Sequence, residues 1–223
     1  QKRKRSDDLE FFRGIVLKRK KIENNLPLFG NQENDSLLES MKNIQLDSSS
    51  LTSFIFDSLK NGELALIETE PEMNHKYSYL MAAAMLSMKK NKPVLVATAT
   101  IHDLYSIEKE LLPRLLERIN LPISIQILKG KNRYLNLWKF ERILHEESNQ
   151  YDEVITKMQI LVWLTETETG DGDELNLSTG GLQFWRRISA VQLVQDGKNP
   201  WQDRDFYRHA MKKASNAQIV VTN

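Results

Sequence analysis

The chain contains no cysteine among its 223 residues. That excludes disulfides, thiolate catalysis, Cys-ligated zinc and thiolate-held iron–sulfur clusters. It has no apolar run near the roughly 18 residues of a membrane span and no secretory leader pattern. Its four histidines are scattered, which argues against a His-rich metal site. Charge of one sign is lacking too: 31 Lys and Arg stand against 30 Asp and Glu, a net charge of +1. No global field therefore draws in nucleic acid, and any such binding must be local. What is present, 40% hydrophobic and 27% charged residues, fits a soluble folded protein. The chain opens on QKRKRSDD without an initiator methionine, so we expect an internal piece of a longer protein.

Residues 1–50 read as a connector with a basic and polar linker. Lys2, Arg3, Lys4, Arg5, Arg13, Lys18, Arg19, Lys20 and Lys21 form either a solvated tail or a basic arm for nucleic acid. The apolar patch from Phe11 to Leu17 could pair as a short strand. Residues 22–50, rich in Asn, Ser, Gln and Asp, read as loop.

From Leu51 the pattern sharpens. Leu51, Phe54, Ile55 and Leu59 fall on one helical face, and Asn61-Gly62 stops that helix. Leu64–Ile67 reads as a strand, and about Lys76 to Lys90 as a helix rich in Ala and Met. Val94–Ala97 reads as a buried strand. Ile101, Leu104, Ile107, Leu111 and Leu115 line a helix kinked or stopped near Pro113. Ile123, Ile125 and Ile127 alternate as a strand, and residues 218–222 form another. Helix alternating with strand predicts an α/β fold with a parallel sheet. Between, residues 137–147 and 152–164 read as helices, the second with Val154, Met158, Leu161 and Val162 on one face. We expect residues 51–128 and 217–223 to form the α/β domain and residues 129–216 an inserted helical subdomain.

The stretch LALIETEPEMNHKYSYL (64–80) has the strand–loop–helix layout of a phosphate-binding loop without its chemistry. A working loop offers glycines whose N–H groups close around phosphates, then a Lys and a Ser or Thr. Between Thr69 and Lys76 there is no glycine and there are two carboxylates, Glu70 and Glu72. Each would repel a triphosphate at about 1–4 kcal/mol per charge pair at surface-like dielectric. Lys76 reads either as a displaced phosphate ligand or as a solvent-exposed cation. Thr98, Thr100 and His102 follow a strand end and open a helix. They could hold a nucleic-acid phosphate, or Thr100 could simply cap the helix. Lys129, Lys131 and Arg133 beside Tyr134 and Trp138 mix charge with flat rings, as single-strand binding does. The plainer reading is a basic turn over two aromatic core residues. The acidic run around Asp171, Asp173 and Glu174 lacks the ligands of a Ca²⁺ loop and reads as a solvated loop.

These pieces, in this order, resemble the DinG-like helicases, relatives of XPD in superfamily 2. The residues that carry the resemblance are LALIETEPEMNHKYSYL, PVLVATATIHDLYSIEKELLPRL, ILKGKNRYLNLWKF, ETETGDGDEL and NPWQDRDFYRHAMKKASNAQIVVTN, which span most of 51–223. The resemblance implies a RecA-like sheet with an inserted subdomain. It also sets Glu68, Thr69, Glu70, Glu72, Asn74, His75 and Lys76 at the nucleotide loop, with His75 in the Lys position and Lys76 in the Ser/Thr position. Thr98, Thr100, His102, Lys129, Lys131 and Arg133 become candidate nucleic-acid contacts. The family's iron–sulfur ligand positions match Asn136, Asn199 and Asp205, so the cluster is expected to be absent. The family's cofactors are ATP and Mg²⁺, and none is expected in this piece.

A Cys-free branch of such proteins, in low-GC Gram-positive bacteria, carries a DEDD-class exonuclease domain ahead of the helicase part. The resemblance therefore implies a cytoplasmic protein of DNA metabolism with a degenerate nucleotide site. Its expected partners are single-stranded DNA and the remaining helicase and exonuclease domains, with no membrane. The expected role is to position the strand for a linked 3′–5′ exonuclease. Two alternatives stand beside it: an active ATP-dependent DNA helicase completed by residues beyond Asn223, and a protein-interaction scaffold.

Overall fold

The computed structural model describes residues 8–19, 49–70, 75–90, 92–119, 123–147, 150–191 and 199–223. They divide into two compact units, one drawn from residues 1–24 and 130–211, the other from 25–129 and 212–223. No described helix is long and apolar enough to cross a membrane.

The second unit has an α/β fold of the RecA-like kind. Its sheet has three parallel strands, β3 (Val94–Ala97), β4 (Ile125–Leu128) and β5 (Ile219–Thr222), with β5 in the middle. Val94 and Ile125 both register with Ile219. A central parallel strand is covered on both faces and reads as a continuous apolar run. Ile219, Val220 and Val221 are accordingly all buried. Strand β3 differs from the expected buried strand: Leu95 is 66% exposed, and only Val94 and Val96 pack on the core.

Helix α1 (Ser49–Asn61) and helix α2 (His75–Lys90) pack on each other. From Tyr77 to Met88 every residue of α2 except Tyr79 is buried, and Ala82, Ala83 and Ala84 leave room for close neighbours. A helix apolar all round belongs inside a core. Helix α1 turns Phe56 inward, while Phe54 and Leu59 stay exposed, so its expected face is only partly the buried one. Helix α3 (Ile101–Ser106), a π-turn (Ile107–Leu111) and helix α4 (Leu112–Ile119) form one continuous rod. The widened turn, in which the Leu112 N–H reaches the Ile107 carbonyl, brings the chain to Pro113. It relieves the clash of the proline ring with the preceding turn.

The expected strand Leu64–Ile67 does not form. No ladder partner meets it among the described residues, and Leu64 and Leu66 are fully exposed. Propensity for a pleated surface needs a neighbouring strand before it becomes structure.

The first unit is mainly helical, with α5 (Leu137–Leu144), α6 (Tyr151–Trp163) and α7 (Thr179–Ile188). An antiparallel hairpin, β1 (Leu9–Phe12) and β2 (Ile15–Lys18), adds Ile15 and Leu17 to the same core. Its two-residue turn has positive φ at Arg13 (50°) and Gly14 (83°), the primed-turn geometry that matches strand twist. Helix α6 reverses the expected face. Thr156, Lys157, Ile160 and Trp163 are buried, while Val154, Met158 and Val162 are exposed. The cause is close approach by α7. A Cβ on Gly181 would lie 2.8 Å from Thr156 Oγ1, and one on Gly180 would lie 2.2 Å from an Asp152 carboxylate oxygen. Such contact favours small side chains that satisfy themselves locally. Thr156 donates to the Asp152 carbonyl at 2.7 Å, and Lys157 donates to the Glu146 carbonyl at 3.0 Å.

Candidate nucleic-acid interface

In the α/β unit the chain enters α2 through Glu68 and Glu70, both exposed, and Thr69, half-buried. Glu72 and Asn74 lie outside the described residues. His75 opens α2, its ring 6.4 Å from that of Tyr79. Lys76 is partly buried and paired. Its Nζ lies 2.6 Å from Asp103 Oδ1.

Asp103 is the residue that sequence reasoning missed. Thr100 caps α3 by accepting the Asp103 N–H at 3.0 Å, and its hydroxyl donates to Asp103 Oδ2 at 2.7 Å. The donors Lys76, first, and Thr100 hold the Asp103 carboxyl below its usual range. Burial, with help from the Asp103 charge, pushes the Tyr79 phenol up. The signal was available, since Thr-x-x-Asp is the spacing of a capped helix start with a carboxylate in its first turn. The single Thr98 hydroxyl proton is shared between the Thr222 carbonyl at 3.2 Å and the Thr100 carbonyl at 3.1 Å, at the ends of β3 and β5. His102 is exposed.

The basic triplet falls on both units. Lys129, in the α/β unit, is buried, with its ammonium 4.5 Å from the centre of the Tyr105 ring. Lys109 lies 5.5 Å from the same ring. In the helical unit, Lys131 lies over Tyr207 at 5.4 Å and Arg133 pairs with Asp173 at 2.7 Å. Tyr134 is buried and Trp138 is partly buried against the core, as core aromatics are.

The acidic loop is anchored in the helical unit at Gly170 and Asp171, while Asp173 and Glu174 are exposed as expected. Gly170 has φ 68°, accepts the Leu135 N–H at 2.9 Å and donates to Thr167 Oγ1 at 3.0 Å. Asp171 is buried and accepts the Asp173 N–H at 3.0 Å, and Glu174 accepts the indole N–H of Trp163 at 2.8 Å.

The positions that match iron–sulfur ligands do other work. The Asn136 side chain accepts the Lys139 N–H at 2.9 Å and caps α5. Asn199 accepts the Trp201 N–H at 2.9 Å. Asp205 accepts the Arg208 N–H at 2.7 Å, at the start of α8 (Phe206–Ser215). Amide and carboxylate oxygens engaged in this way do not fit an iron–sulfur cluster, which takes thiolates. In the described part of the loop around Lys76, Glu68 and Glu70 are exposed and the lysine is paired with Asp103.

No protein-family model matches the chain. Curated relatives do, and the three described next are each named 3′-5′ exonuclease DinG. The protein from Bacillus subtilis is 39% identical over 170 residues, covering 76% of this chain and 18% of its own length. Those from Staphylococcus epidermidis and Staphylococcus aureus USA300 are each 32% identical over 174 residues, covering 78% of this chain and 19% of their own length. The chain thus spans about a fifth of the length of these relatives. The five motifs and the parallel sheet agree with that similarity, and the chain belongs to the DinG-like family.

Proposed function

We propose that this chain is the part of a DinG-type nucleic-acid enzyme that positions single-stranded DNA without holding Mg-ATP at its degenerate loop. The relatives' name supplies the linked chemistry: a 3′-5′ exonuclease would act on the strand this piece holds. The observation that carries the nucleotide half of the proposal is the engagement of Lys76 by Asp103. Phosphate capture there would require breaking that pair beside carboxylates that repel the ligand. Thr98, Thr100 and His102, with the exposed Lys131 and half-buried Arg133, are the strand contacts this reading uses.

Two measurements test it. Ligand at 100 times its Kd adds about 2.7 kcal/mol of stability, a melting shift of roughly 5–11 °C for a chain of this size. Millimolar Mg-ATP should shift melting by less than about 1 °C. A larger rise, abolished by Lys76→Ala, contradicts the proposal. A single-stranded oligonucleotide should bind with log K falling against log salt at a slope of roughly −2 to −3.5, three to five phosphates neutralised. An oligonucleotide that does not bind at low salt removes the strand-positioning role.

Contact with another protein is a second reading, favoured by the exposed stripe Tyr151, Val154, Met158 and Val162 on α6. Sedimentation of the chain with the exonuclease part of its own protein would reveal it.

A further inference from the structure

The helical unit contains a cavity of about 490 Å³, the size of pockets that hold small ligands. Its lining includes three cations, Arg133, Lys139 and Arg186, and one carboxylate, Asp173. Arg133 is balanced by Asp173 at 2.7 Å. Lys139 is half-buried and donates to the Ser189 carbonyl at 2.9 Å. Neither Lys139 nor Arg186 has a carboxylate partner among the described residues. The lining also includes Leu177, half-buried, and Leu182 and Val191, both more than half exposed. An apolar wall beside two cations without a described carboxylate partner, of which Lys139 is partly desolvated, suits a flat ring that carries a phosphate.

We infer that this cavity seats one nucleotide of a single strand, with its phosphate on Lys139 and Arg186 and its base against Leu177, Leu182 and Val191. The site rests on the strand-positioning reading above and gives it a location that composition did not reveal. An anion here would meet a real need. Burial pushes the Lys139 ammonium below the ordinary lysine range, and a phosphate would offset that desolvation. The Trp185 indole N–H, bonded to the Asn132 carbonyl at 2.9 Å, lies in the same wall and reports on occupancy.

The test titrates the chain with a fluorescein-labelled 12-nucleotide single strand at several salt concentrations. Three variants are compared: Arg186→Glu, Lys139→Gln combined with Arg186→Glu, and Arg114→Glu. Arg186 is exposed, so its change leaves the fold intact, and Arg114, exposed on α4, alters net charge equally. Arg186→Glu should weaken binding about tenfold. The salt slope should flatten by about 0.7 for each phosphate that is no longer neutralised, so the double variant should flatten it further than Arg186→Glu alone. Arg114→Glu should stay within about twofold of wild type, and the Trp185 indole NMR signal should move on titration.

Equal effects of Arg186→Glu and Arg114→Glu overturn the site and leave the strand-positioning reading standing. A Trp185 signal that stays still while the strand binds does the same. Competition by inorganic phosphate or a mononucleotide as strong, mole for mole, as by the oligonucleotide overturns the strand in favour of a simple anion site. A wild-type chain that binds no oligonucleotide overturns both readings.

Discussion

Gly170 offers a perturbation whose backbone and packing components can be separated. Its φ of 68° puts it in the left-handed region, and a Cβ there would meet Phe206 Cγ at 2.1 Å and Cδ2 at 2.3 Å. The left-handed conformation costs an L-residue about 1–2 kcal/mol, and overpacking adds about 1–3 kcal/mol. The loop cannot easily move away. The Gly170 carbonyl holds the Leu135 N–H, its own N–H is held by Thr167, and Phe206 is buried. Gly170→Ala should therefore cost about 2–5 kcal/mol, a melting shift of roughly 4–20 °C. Gly14 supplies the control, because it too has positive φ but a Cβ there meets nothing within 4 Å. Gly14→Ala should show the backbone component alone, about 1–2 kcal/mol. Circular dichroism melting of both variants, and of Gly170→Ala with Phe206→Leu, measures the difference directly. The smaller side chain should recover part of the loss. Should Gly170→Ala melt within 1 °C of Gly14→Ala, the packing argument is wrong.

Other substitutions probe the remaining features. Ser78 is fully buried in α2 with a hydroxyl that has no partner among the described residues, so Ser78→Ala should stabilise by about 1 kcal/mol; a lower melting temperature would show that the hydroxyl is bonded. Asn136→Ala removes the α5 cap and should cost about 1 kcal/mol, read by urea denaturation, and no change in midpoint would remove the capping role. Asp103→Asn should lower the melting temperature at pH 7. Because the folded carboxyl is held low, its contribution is present above the ordinary carboxylate pKa and is lost as pH falls through the lowered value. The wild-type and variant curves should therefore converge in acid, and a gap that persists to pH 2 contradicts the pairing.

What sequence revealed and what it hid follow from where each element finds its partners. Strands β3, β4 and β5 were legible because their β-branched runs pair within the described chain. Leu64–Ile67 is apolar too, but only Ile67 in it is β-branched, and it pairs with nothing described. Helix α6 was legible as a helix, yet its apolar stripe pointed the wrong way. Periodicity counts apolar residues, whereas close approach at Gly180 and Gly181 chose the face with Thr156. The hairpin turn at Arg13-Gly14 lacks the Asn-Gly signal that usually marks such turns. At the candidate site, residue types suggested Lys76 and Thr100 separately. Asp103, which joins them, was passed over because tertiary pairing leaves no periodic trace.

The absence of cysteine and the presence of four tryptophans then belong to one physical account. A cluster would tie distant parts of the helical unit through thiolates. Here the matching positions are spent on local caps, each satisfying a backbone N–H. The long-range ties come from indoles instead. Trp201 is 1% exposed, meets Phe12 of the hairpin edge-on at 4.9 Å and donates to Glu141 at 2.7 Å. Trp163 meets Trp185 at 6.1 Å, and their N–H groups reach Glu174 and the Asn132 carbonyl. Each such aromatic pair contributes about 0.5–1.5 kcal/mol beyond the area it buries. Each polar tip has a partner, so burial leaves no unpaired donor among these three indoles. The hairpin is thereby part of what holds the unit. Arg204 stacks over Phe12 at 3.9 Å and pairs with Glu10, joining the segment after residue 199 to the strand at residue 9. A unit tied in this way depends on aromatic packing where a cluster-bearing one would depend on metal supply.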